Sequence, residues 1–279
     1  MKRAFAAFFI LPRPVNCLIA ALSVYVGAFT VRVHWPTSEV LLAALSAALI
    51  LGAGNAFNDV KDLDIDRINR PGRPLPSGRL GCRAALLEAL ALALGGLSLA
   101  WWLGPATGMI ASTAILALVV YSVYLKRTAF WGNLLVGVVG AAAFPYGAIA
   151  TGSWGRSWIP AGFACLFHLG REIIKDIEDL EGDAAAGART LPLRWGVREA
   201  AFFASGIYLF LIGFTLFPWI VGLYGRIYLG LVLLVDLLLL YVLLRLLRYR
   251  AQLPGTTLSL LLKAGMFLGL LAIVAGEVF

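Results

Sequence analysis

Three aspartates recur at one spacing in two places: Asp59, Asp62 and Asp66 in NDVKDLDID, and Asp176, Asp179 and Asp183 in KDIEDLEGD. Both copies read D-x-x-D-x-x-x-D. On an α-helix the offsets i, i+3 and i+7 share a face, so each copy is expected to present a stripe of three carboxylates. The repeat extends upstream, where Asn55 precedes Asp59 by four residues and Glu172 precedes Asp176 by four. Carboxylates gathered at the ends of two apolar helices repel one another unless cations neutralise them. Magnesium prefers oxygen ligands and usually joins protein carboxylates to substrate phosphates. The pattern therefore reads as a two-lobed Mg2+ site able to hold a diphosphate and to stabilise it as it leaves. Arg67, Arg70, Arg73, Lys126, Arg127 and Arg189 are the cations available to phosphate oxygens not taken by metal. A single such loop reads equally well as a solvated, salt-bridged surface; two in register argue for a site.

The elements that must position these residues are membrane helices. The chain has 279 residues, 61% hydrophobic and 14% charged, with a mean hydropathy of +0.89. That is too apolar to cover a soluble globule with polar surface. Apolar runs of about 20 residues, each enough to cross roughly 30 Å of hydrocarbon, fall near 14–32, 39–58, 84–103, 106–125, 131–150, 157–175, 199–219, 226–246 and 256–277. The expected fold is all-α, a single transmembrane domain over 1–279 with nine helices around a central cavity.

A formal charge of +8 could suggest nucleic acid, but the positions of the cations point to the lipid bilayer instead. With a cytoplasmic N-terminus, only Arg32, Arg156 and Arg226 fall at outer ends and Lys263 just inside the ninth span, the rest lying in or beside cytoplasmic segments. An odd number of crossings then places Glu277 outside. Residues 1–11 start basic and turn apolar, but no small-residue cleavage site follows, so they read as a cytoplasmic amphipathic lead-in. Cys17, Cys82 and Cys165 are isolated and read as core thiols.

Polar residues concentrate in two cytoplasmic connections, 59–83 and 176–198, whereas outer links such as Leu103 to Ala106 are minimal. Each long connection runs from its aspartates into a basic, proline-bearing stretch: Arg67-Ile68-Asn69-Arg70-Pro71-Gly72-Arg73-Pro74 and Arg189-Thr190-Leu191-Pro192. Copy one ends the second span and copy two the sixth, which implies two four-helix units after a leading helix, related by a pseudo-twofold along the membrane normal. The chemistry is expected to face the cytoplasm, at the cell membrane.

Asn58-Asp59-x-x-Asp62-x-x-x-Asp66 and Asp179-x-x-x-Asp183, the latter extended by Asp176, resemble the two motifs of the UbiA superfamily of intramembrane prenyltransferases. The resemblance covers essentially the whole chain. It implies magnesium-dependent transfer of an isoprenyl group from an allylic diphosphate to a lipid-like acceptor, with Asn58, Asp62, Asp66, Asp179 and Asp183 carrying metal and diphosphate and Asp59 and Asp176 assisting. Tyr121-Ser122-Val123-Tyr124-Leu125-Lys126-Arg127 is similar to the stretch that brings a lysine, here Lys126, to the diphosphate. Arg13-Pro14-Val15-Asn16 resembles the N-terminal motif, with Asn16 lining the cavity. An apolar groove would hold the tail and shelter the allylic cation from water, with Phe57, Tyr121, Tyr124, Phe144, Tyr146, Phe163 and Phe167 as candidate walls.

The segment from Arg171 to Asp183 resembles the members that make archaeal-type ether lipids by alkylating a glycerol hydroxyl of geranylgeranylglyceryl phosphate. Arg171, Arg194 and Arg198 are cations to spare for a phosphate on such an acceptor. An attacking alcohol must lose a proton, and Glu172 or His168, on successive turns above Asp176, is the expected base. His34, near an outer loop, reads as solvated. Asp236, mid-span in the eighth helix, is expected to bridge to Lys263. Two other readings stand beside this one: aromatic prenylation for a quinone or pigment, and ion-coupled transport. Against transport, the acids cluster at helix ends and prolines that would mark broken helices are missing.

Overall fold

The computed structural model describes residues 2–31, 37–248 and 257–278, and among these every regular element is helical. A short lead-in, α1 (Lys2–Ile10), precedes α2 (Pro14–Phe29). The first acidic segment joins α3 (Ser38–Lys61) to a short α4 (Leu63–Asn69), and a tight outer turn joins α5 (Cys82–Leu103) to α6 (Pro105–Val123). One 3-10 turn at Leu125–Arg127 leads to α7 (Trp131–Ala141) and α8 (Ala143–Ala150). The second acidic segment joins α9 (Trp158–Glu178) to α10 (Leu180–Ala185) and α11 (Leu191–Trp195). Helices α12 (Val197–Ile220), α13 (Arg226–Arg248) and α14 (Thr257–Val278) complete the bundle.

Seven helices among the described residues are long and apolar enough to cross a membrane, with α7 and α8 acting as one. The other two expected spans depart from that pattern for visible reasons. Helix α2 is apolar but only 16 residues long. Helix α9 has 21 residues, but its last turns carry Arg171, Glu172, Lys175, Asp176 and Glu178. Many large side chains face outward, among them Trp102, Leu116, Phe210 and Leu237, as expected where lipid replaces water. The chain is a multi-pass membrane protein.

Two expectations about helix continuity fail. Span 131–150 is broken at Ala142, between α7 and α8. Pro145 lies just beyond, and a proline both lacks the N–H and crowds the carbonyl four residues back; a second proline, Pro218, sits inside α12. Prolines at a broken helix are thus present. Nor do the aspartates ride one continuous helix: α3 stops at Lys61 and α9 at Glu178, each immediately before the middle aspartate of its copy.

Packing divides the core. One apolar cluster joins α9, α11, α12, α13 and α14 around Ile173, Ile174, Tyr208, Leu239 and Leu262. Another joins α2, α3, α5, α6 and α8 around Val24, Ile50, Ala111 and Tyr146. Helix α2 crosses α8 so closely that a Cβ on Gly27 would fall on the backbone of Phe144, and one on Gly147 on that of Val24. Small residues allow this approach, the usual device for packing helices in lipid. Ala7 and Leu11 of the lead-in bury against Ala56, Ala85 and Ala89, while Phe8, Phe9 and Ile10 face outward. Cys17, Cys82 and Cys165 are free and half-buried.

Candidate active site

Asp62 and Asp179 hold the same backbone position in the two copies. Asp62 has φ −93°, ψ 5° and Asp179 has φ −94°, ψ 9°, and each ends a long helix and starts a short one. The amide of Asp62 donates to the Asn58 carbonyl at 2.9 Å and that of Asp66 to the Asp62 carbonyl at 2.7 Å; Asp179 to Lys175 at 2.8 Å and Asp183 to Asp179 at 3.0 Å repeat the pattern. Aspartate competes poorly within helices and well at their ends. Neither side chain caps its own short helix, however; both carboxylates point to charges from elsewhere.

In the first lobe Asp59, Asp62 and Asp66 are all buried. Arg13, at the entry to α2, pairs with Asp59 and also approaches Asn55. Arg73 spans Asp59 at 3.3 Å and Asp66 at 2.5 Å. Lys126, on the turn after α6, pairs with Asp62, which also accepts from the Asn58 amide at 2.5 Å; Ser122 donates in turn to Asn58 at 3.3 Å. Burial raises the Asp66 carboxyl above the usual carboxylate range, opposed by Arg73 and aided by Asp59 and Asp62.

In the second lobe Asp176 accepts from Asn133 of α7 at 2.8 Å. Arg70, from the first loop, reaches across to both Asp179 oxygens at 2.7 and 2.9 Å. Its neighbour Asn69 donates to the Asp179 carbonyl at 3.2 Å and accepts from the Gly182 amide at 3.1 Å. Gly182 leaves room for this: a Cβ there would meet the Asn69 carboxamide, 2.6 Å from its carbon. Asp183 is buried and has no ion pair among the described residues. Its carboxyl is pushed up to about 6, first by burial, with Lys126 opposing and Asp179 and Asp62 adding repulsion. Tyr121 of α6 lies within Coulombic range of Asp62 in the first lobe and of Glu172 and Asp176 in the second.

The remaining expected residues separate. Glu172 is buried and held by Arg171 at 2.9 Å and Lys175 at 2.7 Å. Arg67 is exposed and pairs with Asp64 at 2.8 Å. Arg189 and Arg194 are exposed, the Arg189 amide bonding the Arg127 carbonyl at 2.9 Å. Asn16 is half-buried in the first turn of α2. His168, the other candidate base, buries its Nδ1 without a hydrogen-bond partner, and its ring packs on Gly140. Asp236 does not bridge to Lys263; the Thr215 hydroxyl of α12 donates to it at 3.1 Å, because α13 turns that face toward α12. His34 lies outside the described residues. Arg13, Asn69 and Asn133 as partners of the aspartates were not anticipated, although a lone asparagine in an apolar run such as WGNLLVGVV is a signal for a buried polar contact.

A half-open apolar cavity is walled by Phe144, Phe163, Phe167 and His168 together with Met266 and Leu270. Phe57 instead borders a second apolar groove, between α3, α5 and α6. Tyr124 is exposed, and Tyr146 is buried with its hydroxyl donating to Ser46 at 2.9 Å, so neither walls the cavity.

Among the described residues no three acidic or imidazole groups converge as a ready-made metal cage. The donor set nonetheless suits magnesium, which is commonly held by one or two carboxylates plus substrate phosphates rather than by protein alone. Buried oxygens from two opposed helix breaks, one of them the unpaired Asp183, are ligands of that kind.

Opposed aspartate breaks and an apolar cavity in an all-helical membrane bundle are the features that prenyl transfer within a membrane requires, and the chain belongs to the UbiA prenyltransferase family, whose profile matches residues 17–271. Its curated relatives include the digeranylgeranylglyceryl phosphate synthase of Methanoculleus marisnigri, 37% identical over 95% of this chain and 96% of that one. A solved structure of a digeranylgeranylglyceryl phosphate synthase matches with a TM-score of 0.76 at 29% identity, over 100% of this chain and 99% of the other. A UbiA homologue from Archaeoglobus fulgidus, solved with GPP and Mg2+, shares the fold at a TM-score of 0.74 and 20% identity, over 97% and 98% of the two chains. The chain is thus a prenyltransferase enzyme, which sets ion-coupled transport aside.

Proposed function

We propose that this enzyme transfers a geranylgeranyl group from geranylgeranyl diphosphate to the glycerol hydroxyl of geranylgeranylglyceryl phosphate, a step of ether-lipid synthesis. The observation that carries the reading is the pairing of the Asp62 and Asp179 breaks, tied across the site by Arg70. The full-length likeness to digeranylgeranylglyceryl phosphate synthases supports the choice of acceptor.

Asn58, Asp59, Asp62 and Asp66 on one side and Asp176, Asp179 and Asp183 on the other would hold magnesium with the diphosphate. The metal would neutralise charge developing on the leaving group. Lys126, Arg73 and Arg70, which now pair with Asp62, Asp66 and Asp179, would be the cations available to phosphate oxygens once metal held those carboxylates. The allylic C–O bond breaks at the cavity mouth, and Phe163 and Phe167 keep water from the cation. The glycerol oxygen then bonds to the allylic carbon and loses its proton. Glu172 already serves two cations and is a poor base in that state; an alcohol that has formed the new C–O bond is acidic enough to yield its proton to water. Tyr121 and Asn16 line the approach, with Arg67, Arg189 and Arg194 at the rim.

As part of the same reading, nine crossings, a single domain over 1–279 and a cytoplasmic N-terminus put the lobes on the cytoplasmic side of the cell membrane, the side that carries most cations. A competition assay tests the acceptor: with geranylgeranyl diphosphate and magnesium, geranylgeranylglyceryl phosphate is expected to be prenylated ahead of 4-hydroxybenzoate and a naphthoate at equal concentrations. Preference for an aromatic acid would replace the reading with quinone or pigment prenylation.

A further inference from the structure

The two lobes leave one group of cations without enough acid. Glu172 is shared between Arg171 and Lys175, so two positive charges divide a single carboxylate. Arg171 is 12% exposed in its side chain and also buries its Nε with no hydrogen-bond partner. Lys263 of α14 has no ion pair among the described residues, and the charges that act on it are Arg171, Arg13 and Lys175, all positive. Arg13 is already committed to Asp59.

Helix packing puts this group at the mouth of the apolar cavity. Gly265 of α14 lies against the Phe167 ring of α9, with Cβ-position contacts of 3.4 Å. The two helices run in opposite directions, so Lys263 and Arg171 both lie toward the aspartate end from that contact. Lys263 and Met266 are three residues apart, as are His168 and Arg171, and such pairs share a helix face; Met266 and His168 both wall the cavity. A shortage of acid beside half-buried cations is costly unless an anion joins them. An apolar cavity capped by uncompensated cations fits a ligand with an anionic head and a lipid tail.

We infer that Lys263, together with Arg171 and Lys175, binds the phosphate of the acceptor lipid while its isoprenoid chain occupies the cavity walled by Phe163, Phe167 and Met266. The inference rests on the acceptor proposed above and adds a residue from α14 that neither aspartate motif contains. It also separates the two substrates: the diphosphate of the donor belongs to the aspartate lobes, the monophosphate of the acceptor to the α9–α14 cations.

The test uses full-length protein in detergent, with Lys263→Met, Lys263→Gln and Lys263→Arg assayed for KM toward geranylgeranylglyceryl phosphate, its dephosphorylated counterpart and geranylgeranyl diphosphate. Loss of a charged hydrogen bond is expected to raise KM for the phosphorylated acceptor by about 10- to 100-fold in Lys263→Met and to leave the donor KM within about twofold. The dephosphorylated acceptor should be nearly indifferent to the change, and Lys263→Arg should recover most of the loss. Thermal unfolding of Lys263→Met should be no earlier than wild type, since a half-buried charge with no ion pair among the described residues is removed; should it fail to fold, Lys263→Gln carries the same comparison. No transfer to geranylgeranylglyceryl phosphate by the wild type would overturn the acceptor reading and this inference with it. Wild-type transfer with an unchanged acceptor KM in the variants, or a rise in donor KM instead, overturns the inference alone.

Discussion

Arg70 joins Asp179 across more than a hundred residues of sequence, with one guanidinium nitrogen within 2.7 and 2.9 Å of both carboxylate oxygens. The loop that follows the first aspartate motif thereby reaches the helix break of the second. Asn69 beside it reads the backbone of the same break, at the Asp179 carbonyl and the Gly182 amide. The two motifs are one unit, locked by residues that belong to the first and serve the second.

If both lobes hold one diphosphate, neither works alone. Asp62→Ala and Asp179→Ala are each expected to lower turnover at least about 100-fold, on the order of 3 kcal/mol of barrier. Both variants should stay folded in detergent, since the lost partners, Lys126 and Arg70, are part-exposed and can reach water. Near-normal turnover in either variant would remove the two-lobe account.

The lock itself can be measured. Arg70→Ala and Asp179→Asn should be strongly non-additive in kcat, because contacting residues of one network couple by about 0.5–3 kcal/mol. Gly182→Ala should resemble Arg70→Ala in activity, since the added methyl displaces Asn69. Full additivity in the cycle would mean that Arg70 and Asp179 act separately.

The close crossing of α2 and α8 predicts a stability effect away from the chemistry. Gly27→Val and Gly147→Val force the two backbones apart and are expected to destabilise by about 1–3 kcal/mol or more, the scale of overpacking. Gly206→Ala and Gly213→Ala, where an added Cβ meets nothing within 4 Å, should be neutral or slightly stabilising. Thermal unfolding in detergent distinguishes the two pairs; equal behaviour would contradict the packing described.

How much of this could be read from residues alone differs by element. The paired aspartates were visible because their spacing repeats, and the long spans because lipid demands long apolar helices. The breaks at Asp62 and Asp179 were not: offsets of three and seven fit an uninterrupted helix as well as a kinked one, and only the known reluctance of aspartate within helices hints otherwise. Asp236 chose Thr215 over Lys263 because helix rotation, which periodicity does not specify on an apolar helix, decided which neighbour it met. The break before Pro145 does have a sequence signal, a proline inside an apolar run, because proline removes a helix hydrogen bond and crowds the carbonyl four residues back. Asn133 shows as a lone polar residue in an apolar run, but the partners of Asn133 and Asn69, Asp176 and Asp179, come from distant segments, and a contact of that range leaves no local pattern.

The claim that the paired aspartates work through a divalent metal on one diphosphate is tested most directly by following prenyl transfer from geranylgeranyl diphosphate to geranylgeranylglyceryl phosphate before and after metal removal. Hard oxygen ligands dominate the site, so thorough chelation should abolish transfer and added magnesium or manganese should restore it. Undiminished transfer by protein whose metal content has been verified as nil would contradict the account, leaving Lys126, Arg70 and Arg73 to stabilise the leaving group unaided.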